Sequence, residues 1–212
     1  MLTCLIASDK MLCLSKKVCN VIKKFFIRHY PIIAVVMLII SCALVGEELT
    51  LRLRFERDAI VGGDFYRLLT AHFVHLNWVH ALMNIAAAVI GWVLFRDSLS
   101  NLQWILSIAV CGLVISLLLF TVPQLHWYVG FSGIVHGLML QGLVFEKRLR
   151  LVEKSVVITA LLAKVAYEQW FGSSSADLEL IDGNIVVQAH FFGLLGGLLM
   201  CIGIKFISLR RN

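Results

Sequence analysis

The chain has 212 residues, of which 60% are hydrophobic and 15% are charged, and its mean hydropathy is +0.89. Soluble domains contain roughly half apolar and a quarter charged residues, so this composition excludes an ordinary soluble domain and indicates an all-α polytopic membrane protein. At about 20 residues per span, the length accommodates about six spans with short loops. The net charge is +6. Many of the basic residues cluster in the leader, the fourth loop and the tail, and this distribution indicates membrane topology and not nucleic-acid binding.

Six apolar runs predict the membrane-spanning helices. They lie at 31–46, 77–95, 102–122, 131–145, 155–172 and 188–209. The chain therefore divides into a basic leader at 1–29, a six-helix core at 30–209 and a basic tail at 210–212. Six spans place both termini on one side of the membrane, and lysine and arginine accumulate on the cytoplasmic side. The basic residues of the leader, the fourth loop and the tail predict that these segments are cytoplasmic: Lys10, Lys16, Lys17, Lys23, Lys24, Arg28, Lys147, Arg148, Arg150, Lys154, Arg210 and Arg211.

The other loops and the cysteines complete this layout. The loop at 173–187 contains Asp177, Glu179 and Asp182 but no lysine or arginine, so it is predicted to lie outside. The loop at 47–66 alternates apolar and polar residues, which favours a segment lying in the outer interface. The six cysteines fall in the leader or inside spans with no CxxC pair, and this placement predicts neither a disulfide framework nor a metal site.

Ser132 lies between glycines in the run Gly130-Phe131-Ser132-Gly133, at the start of the fourth span. Small residues are common where membrane helices touch, so a packing role is the simplest interpretation of this serine. A serine hydroxyl also becomes a nucleophile when a neighbouring base takes its proton, and a histidine is suited to that exchange. His190, at the start of the sixth span, is the candidate base.

Glycine spacing favours the catalytic interpretation. Gly133 and Gly137 are four residues apart on the fourth span, and Gly193 and Gly197 are four apart on the sixth. Such pairs form smooth helix faces that permit close backbone approach. We therefore expect Ser132 and His190 to come within hydrogen-bond distance near the outer ends of their helices.

His80 and Asn84 begin the second span one helical turn apart, and Asn77 falls on the same face. Their side chains could donate hydrogen bonds to a tetrahedral oxyanion, together with the free backbone amide of Ser132 at its helix N-terminus. A purely structural histidine and asparagine network is the alternative. The combination with Ser132 favours an oxyanion hole and predicts a serine hydrolase inside the membrane.

Three ordered motifs resemble those of the rhomboid intramembrane serine proteases. They are His80-x-x-x-Asn84, Gly130-x-Ser132-Gly133 and Ala189-His190-x-x-Gly193-x-x-x-Gly197, spread over residues 30–209. The resemblance implies a six-helix bundle, a Ser132–His190 dyad without an orienting carboxylate, and an oxyanion hole that includes His80 and Asn84. It also implies that the substrates are single-pass membrane-anchored proteins in the lipid bilayer and that no cofactor or metal is needed.

His136 departs from the pattern, since many rhomboids have a tyrosine four residues after the serine. A helix places its side chain towards Ser132, where it could support His190 by stacking or hydrogen bonding, or compete with it as a base. This substitution resembles the rhombosortase branch, which is associated with removing C-terminal Gly-Gly-type anchors from exported bacterial proteins. That resemblance implies a bacterial inner-membrane protein whose active site faces the periplasm.

Lys164 and Glu168 lie one turn apart within the fifth span. Charges at this spacing offset each other's burial, so a structural ion pair is one interpretation. The resemblance offers a second, in which both residues line a substrate entry route beside the fifth helix. The histidines at 72, 75 and 126 lie in or beside outer loops and are predicted to be interfacial.

Two other functions compete with proteolysis. A catalytically inactive rhomboid-like chaperone or binding protein would keep the fold but lose the serine or the histidine, and this chain has both Ser132 and His190. A membrane cytochrome would use paired histidines as haem ligands. The obvious pair, His80 and His190, is already part of the hydrolase pattern.

Overall fold

A computed structural model describes residues 2–174, 179, 181 and 184–210, with side chains from residue 19 onward in these ranges. The predicted acidic residues Asp177 and Asp182 lie outside the described residues, as does Arg211 of the basic tail. The helices and strands, in chain order, are α1 (Leu2–Val45), α2 (Glu47–Leu53), β1 (Phe55–Glu56), α3 (Arg57–Val61), α4 (Arg67–Thr70), α5 (Trp78–Phe95), α6 (Asn101–Leu119), β2 (Trp127–Tyr128), α7 (Ser132–Phe145), α8 (Leu151–Phe171) and α9 (Gln188–Leu209).

Four helices in the described part of the chain are long and apolar enough to cross a membrane: Cys19–Val45 within α1, and the whole of α5, α6 and α9. Two helices at predicted spans do not meet that standard. The apolar helix α7 has only 14 residues, and α8 includes four charged residues, Glu153, Lys154, Lys164 and Glu168. The protein is therefore an integral membrane helical bundle, and the count of six spans stays a prediction.

The observed helix bounds differ from the predicted spans at identifiable places. Helix α1 includes the predicted leader and continues through Pro31, where a proline removes one backbone hydrogen bond without ending the helix. Helix α8 begins four residues early, where the carboxylate of Glu153 accepts a hydrogen bond from the backbone amide of Arg150 and caps the helix start. Helix α6 ends at Leu119, and the guanidinium of Arg57 donates to the carbonyls of Leu119 and Val122 beyond it.

The segment between α1 and α5 packs onto the loop that precedes α7. Strands β1 and β2 pair antiparallel, with Phe55 opposite Tyr128 and Glu56 opposite Trp127. Phe55 is fully buried, so the first loop is anchored in the bundle as well as at its surface. This pairing positions the chain immediately before Gly130 and Ser132.

Helices α7 and α9 pack backbone against backbone at their glycines. A Cβ added to Gly193 would lie 1.9 Å from the carbonyl oxygen of Gly133, and one added to Gly197 would lie 2.5 Å from that of Gly137. Real side chains do not approach backbone atoms this closely. Only glycine at these positions allows the two backbones to touch, which sets the distance between the residues at the tops of both helices.

Candidate active site

Ser132 is the first residue of α7, held there by the turn at Gly130. Gly130 has a φ of 121°, a left-handed conformation that glycine adopts without strain. Its amide donates to the carbonyl of Ala71, and its carbonyl accepts from the hydroxyl of Tyr128 at 2.6 Å. A serine after such a turn begins the helix with its backbone amide free of intrahelical bonding.

His190 is the third residue of α9 and faces Ser132 across the glycine contact. Its Nε2 lies 2.9 Å from Ser132 Oγ, within normal hydrogen-bond distance. The histidine side chain is only 6% exposed. A serine hydroxyl and an imidazole in this arrangement can exchange a proton.

Glu168 of α8 approaches the other side of the same imidazole. Its Oε2 lies 2.8 Å from His190 Nδ1. The expected dyad included no carboxylate at the base, so this contact differs from the expectation. A carboxylate can only accept a hydrogen bond, and Nδ1 therefore carries the proton. This tautomer leaves the Nε2 lone pair to accept from the hydroxyl of Ser132.

Lys164 and His136 surround Glu168 and the imidazole. The ammonium of Lys164 lies 2.8 Å from Glu168 Oε1 and 2.9 Å from His136 Nε2. The ring of His136 stacks on that of His190, with centroids 4.2 Å apart and planes 19° apart, and its Nδ1 donates to the carbonyl of Ser132 at 2.8 Å. Both nitrogens of His136 are thus engaged, so it is not free to compete as a base.

His80 and Asn84 line the space beside Ser132. A Cβ on Gly130 would lie 3.0 Å from two ring atoms of His80, which places this ring against the serine loop, and His80 Nδ1 is buried without a protein partner. Asn84 donates one amide hydrogen to the carbonyl of His80 and has a second to offer. Asn77 differs from the expectation, because its Oδ1 caps α5 by accepting from the amide of His80.

A rhomboid family model, described as "Rhomboid domain", matches residues 62–205, which is more than half of the chain. This protein belongs to the rhomboid family. It is similar to YdcA of Bacillus subtilis (strain 168), which is assigned by name to the rhomboid proteases, with 26% identity over 82% of this chain and 89% of YdcA. It is also similar to the rhomboid protease GlpG of Salmonella choleraesuis (strain SC-B67), with 28% identity over 79% of this chain. The match spans 59% of the length of that GlpG.

Two cavities of this rhomboid meet at Ser132. The first, the loop cavity, has a volume of about 440 Å³ and is lined by residues 124–129 and 184–186 together with His80 and Ser132. The second, the helix cavity, has a volume of about 230 Å³ and is lined by side chains of α5, α7, α8 and α9, including Asn84, Lys164 and Glu168. His80, Ser132 and Ile185 line both cavities. The serine is therefore accessible from two directions.

Two of the three histidines predicted to be interfacial are buried in the fold of this rhomboid. His72 is fully buried, and its Nε2 donates to the carbonyl of Gly112 at 3.0 Å. Burial lowers the pKa of His72 to about 4. Burial, with a smaller contribution from the ring of His80, lowers the pKa of His75 to about 3. Both rings are neutral at physiological pH, whereas His126 is exposed at the loop cavity as expected.

One group of side chains in the described residues has ligand types that suit a metal ion. His136, Glu168 and His190 each offer one ligand atom within 4.8 Å of the others. The ammonium of Lys164 already bonds both His136 and Glu168. This positive charge takes the place that a metal ion would occupy between those two side chains. We assign no metal to this group.

The contact between Glu168 and His190 is the site feature that sequence reasoning missed. The sequence signal was present, because a carboxylate inside an apolar helix is costly and is a functional candidate by default. An ion pair with Lys164, one turn away on the same helix, was sufficient to explain this carboxylate without a second partner. The ion pair does form, at 2.8 Å, and the same carboxylate also bonds the candidate base.

Proposed function

We propose that this rhomboid is an intramembrane serine endopeptidase in which Ser132 attacks the scissile carbonyl and His190 is the general base. The observation that carries the proposal is the 2.9 Å contact between Ser132 Oγ and His190 Nε2, made at the start of an apolar helix beside two cavities. A serine that serves only in helix packing would not require a histidine nitrogen at hydrogen-bond distance from its hydroxyl. The names of the relatives as rhomboid proteases support the same activity.

The proposed reaction balances within the side chains of the site. Ser132 Oγ bonds to the carbonyl carbon as its proton moves to His190 Nε2. The resulting oxyanion accepts hydrogen bonds from the Ser132 backbone amide and from the side chains of His80 and Asn84. When the C–N bond breaks, His190 donates its proton to the leaving amine. A water then attacks the acyl-serine carbonyl and gives a proton to His190. When the C–O bond to Ser132 breaks, His190 returns that proton to Ser132 Oγ, the new carboxyl terminus leaves, and the starting state is restored.

The proposed substrates are single-pass membrane-anchored proteins, cleaved near the outer face of the bilayer. Peptide hydrolysis needs water, which the hydrocarbon core lacks, and the loop cavity lies beside polar loop residues that can admit it. The finer proposal is the rhombosortase activity, removal of a C-terminal Gly-Gly-type anchor from exported proteins. Histidine in place of the usual tyrosine, at His136, is the feature that favours this branch.

The activity is tested with an exported reporter that ends in a Gly-Gly segment, one membrane span and a basic tail. Co-expression with the wild type should release a soluble reporter whose new C-terminus is found by mass spectrometry. Ser132→Ala and His190→Ala should leave the reporter in the membrane. Ser155→Ala changes an exposed serine on α8 and should cleave as the wild type does.

The outcomes separate the general and the finer proposal. Release of the reporter by Ser132→Ala would overturn the protease assignment and favour a rhomboid-like binding protein. If a reporter with alanines in place of Gly-Gly is cleaved at the same rate, the rhombosortase assignment is wrong and the protease assignment stands.

A further inference from the structure

We infer that Glu168 is a positioning residue of the catalytic machinery, which makes the site a Ser132–His190–Glu168 triad held in place by Lys164 and His136. This inference rests on the proposed function, since a base is positioned only if it acts. It departs from the dyad that the family resemblance implied. The carboxylate is contributed by α8, and the serine and histidine by α7 and α9.

The geometry around His190 specifies one tautomer. The imidazole is bonded at both nitrogens, 2.8 Å from Glu168 Oε2 and 2.9 Å from Ser132 Oγ. A neutral imidazole has one donor and one acceptor nitrogen, and a carboxylate accepts only. Glu168 therefore holds the proton at Nδ1 and turns the acceptor Nε2 towards the nucleophile.

The charge of Glu168 also matches the charge that develops during the reaction. When the proton of Ser132 moves to Nε2, His190 becomes a cation, and a carboxylate 2.8 Å away stabilises it in a site with little water. The carboxylate keeps its negative charge throughout and takes no proton. Its side chain is only 10% exposed, so its charge is weakly screened at the base.

Lys164 and His136 fix the carboxylate in this position. The ammonium of Lys164 bonds the second oxygen of Glu168 and the Nε2 of His136, and His136 bonds the carbonyl of Ser132 while stacking on His190. The five residues thus form a closed ring of contacts among α7, α8 and α9, which the backbone carbonyl of Ser132 completes. Every ring member is either bonded on both sides or stacked, so displacing one of them disturbs its neighbours.

The position of α8 consequently controls whether the triad is assembled. Of its 21 residues only Val165 and Glu168 are buried, so few apolar contacts hold this helix against the bundle. The contacts of Lys164 and Glu168, with that of Gln169 to the carbonyl of Val187, join it to α7 and to the start of α9. A shift of α8 away from the bundle would remove the carboxylate from His190.

The test compares three variants in cleavage of the membrane-anchored reporter. Glu168→Gln keeps the shape but loses the charge, and we expect kcat to fall by about 10²–10⁴ with KM little changed. Glu168→Ala should be equally slow, and added formate should restore part of its rate by supplying a carboxylate at the helix cavity. The matched control is Glu153→Gln on the same helix, which keeps the capping oxygen and should have the wild-type rate.

The results distinguish this inference from a structural role and from failure of the proposed function. A structural role for Glu168 would lower the yield of folded protein, and formate would not restore the rate. If Glu168→Gln cleaves as fast as Glu153→Gln while Ser132→Ala is inactive, the triad is wrong and the protease assignment stands. Cleavage by Ser132→Ala would instead overturn the proposed function. Selective ¹⁵N labelling of histidine should show the Nδ1-protonated tautomer at His190 in the wild type and its loss in Glu168→Ala, which removes the acceptor.

Discussion

Replacing Gly193 by alanine places a methyl group inside the contact between α7 and α9. The new Cβ would lie 1.9 Å from the carbonyl oxygen of Gly133, against 3.4 Å for an ordinary contact, so the helices must separate locally by about 1.5 Å. The obstacle is backbone, which cannot rotate away as a side chain would. The helices would separate at Gly193, one turn after His190, and at Gly133, which directly follows Ser132.

The expected consequence is a larger loss of activity than of stability. Overpacking of this kind lowers the free energy of unfolding by about 1–3 kcal/mol. The higher helix propensity of alanine offsets up to about 1 kcal/mol of that loss. A shift of about 1 Å at reacting groups lowers the rate by about 10²-fold. The 2.9 Å bond between Ser132 and His190 would be stretched beyond hydrogen-bond distance.

The assay measures reporter cleavage in proteoliposomes together with the thermal unfolding of the purified protein. Gly203→Ala is the matched control, because it lies on the same helix and its added Cβ would meet nothing within 4 Å. We expect Gly203→Ala to be as active as the wild type and at least as stable. A Gly193→Ala variant with the wild-type rate and unfolding temperature would refute the argument that this glycine contact sets the catalytic distance.

Two further predictions concern the oxyanion hole and the opposite end of α7. Asn84→Ala should lower kcat by about 10²–10³ with KM nearly unchanged, because an oxyanion donor acts in the transition state. A change confined to KM would instead favour a structural network of His80 and Asn84. Hydrogen bonds from Arg148, opposed by burial and aided by a hydrogen bond from Ser98, lower the pKa of Glu146 to about 2. Its stabilising contribution is present above its unfolded pKa of about 4.3 and is lost as the pH falls towards 2. Glu146→Gln should therefore unfold at a lower temperature than the wild type at pH 7, and the difference should shrink on acidification; a difference that is constant with pH would contradict the ionic role.

Apolar runs and their spacing predicted most of the helical architecture because burial in a bilayer imposes long apolar segments. The start and end of the last helix, 188–209, agree with the observed α9. A proline in a sequence usually marks the end of a helix, so composition could not predict that α1 continues through Pro31. A helix in apolar surroundings tolerates the one missing hydrogen bond. Composition also could not predict the early end of α6, where a guanidinium distant in sequence binds the carbonyls beyond the helix end.

At the candidate site, residues within one helix were easier to place than contacts between helices. The ion pair of Lys164 and Glu168 follows from a four-residue spacing, and the approach of α7 to α9 follows from glycine spacing. The contact of Glu168 with His190 depends on the rotation of α8 about its axis, which hydropathy does not specify. His72 and His75 were misplaced for a similar reason, because the chain around α4 packs into the bundle and does not remain at the interface.

The most direct test of the central claim is to locate the covalent adduct of a fluorophosphonate probe on the protein in lipid bilayers. Peptide mapping by mass spectrometry should find the phosphonyl group on Ser132 in the wild type. The adduct should be absent from Ser132→Ala and strongly slowed in His190→Ala, with both variants folded in the membrane. An adduct on another residue, or labelling of Ser132→Ala at the wild-type rate, would contradict the assignment of Ser132 as a nucleophile activated by His190.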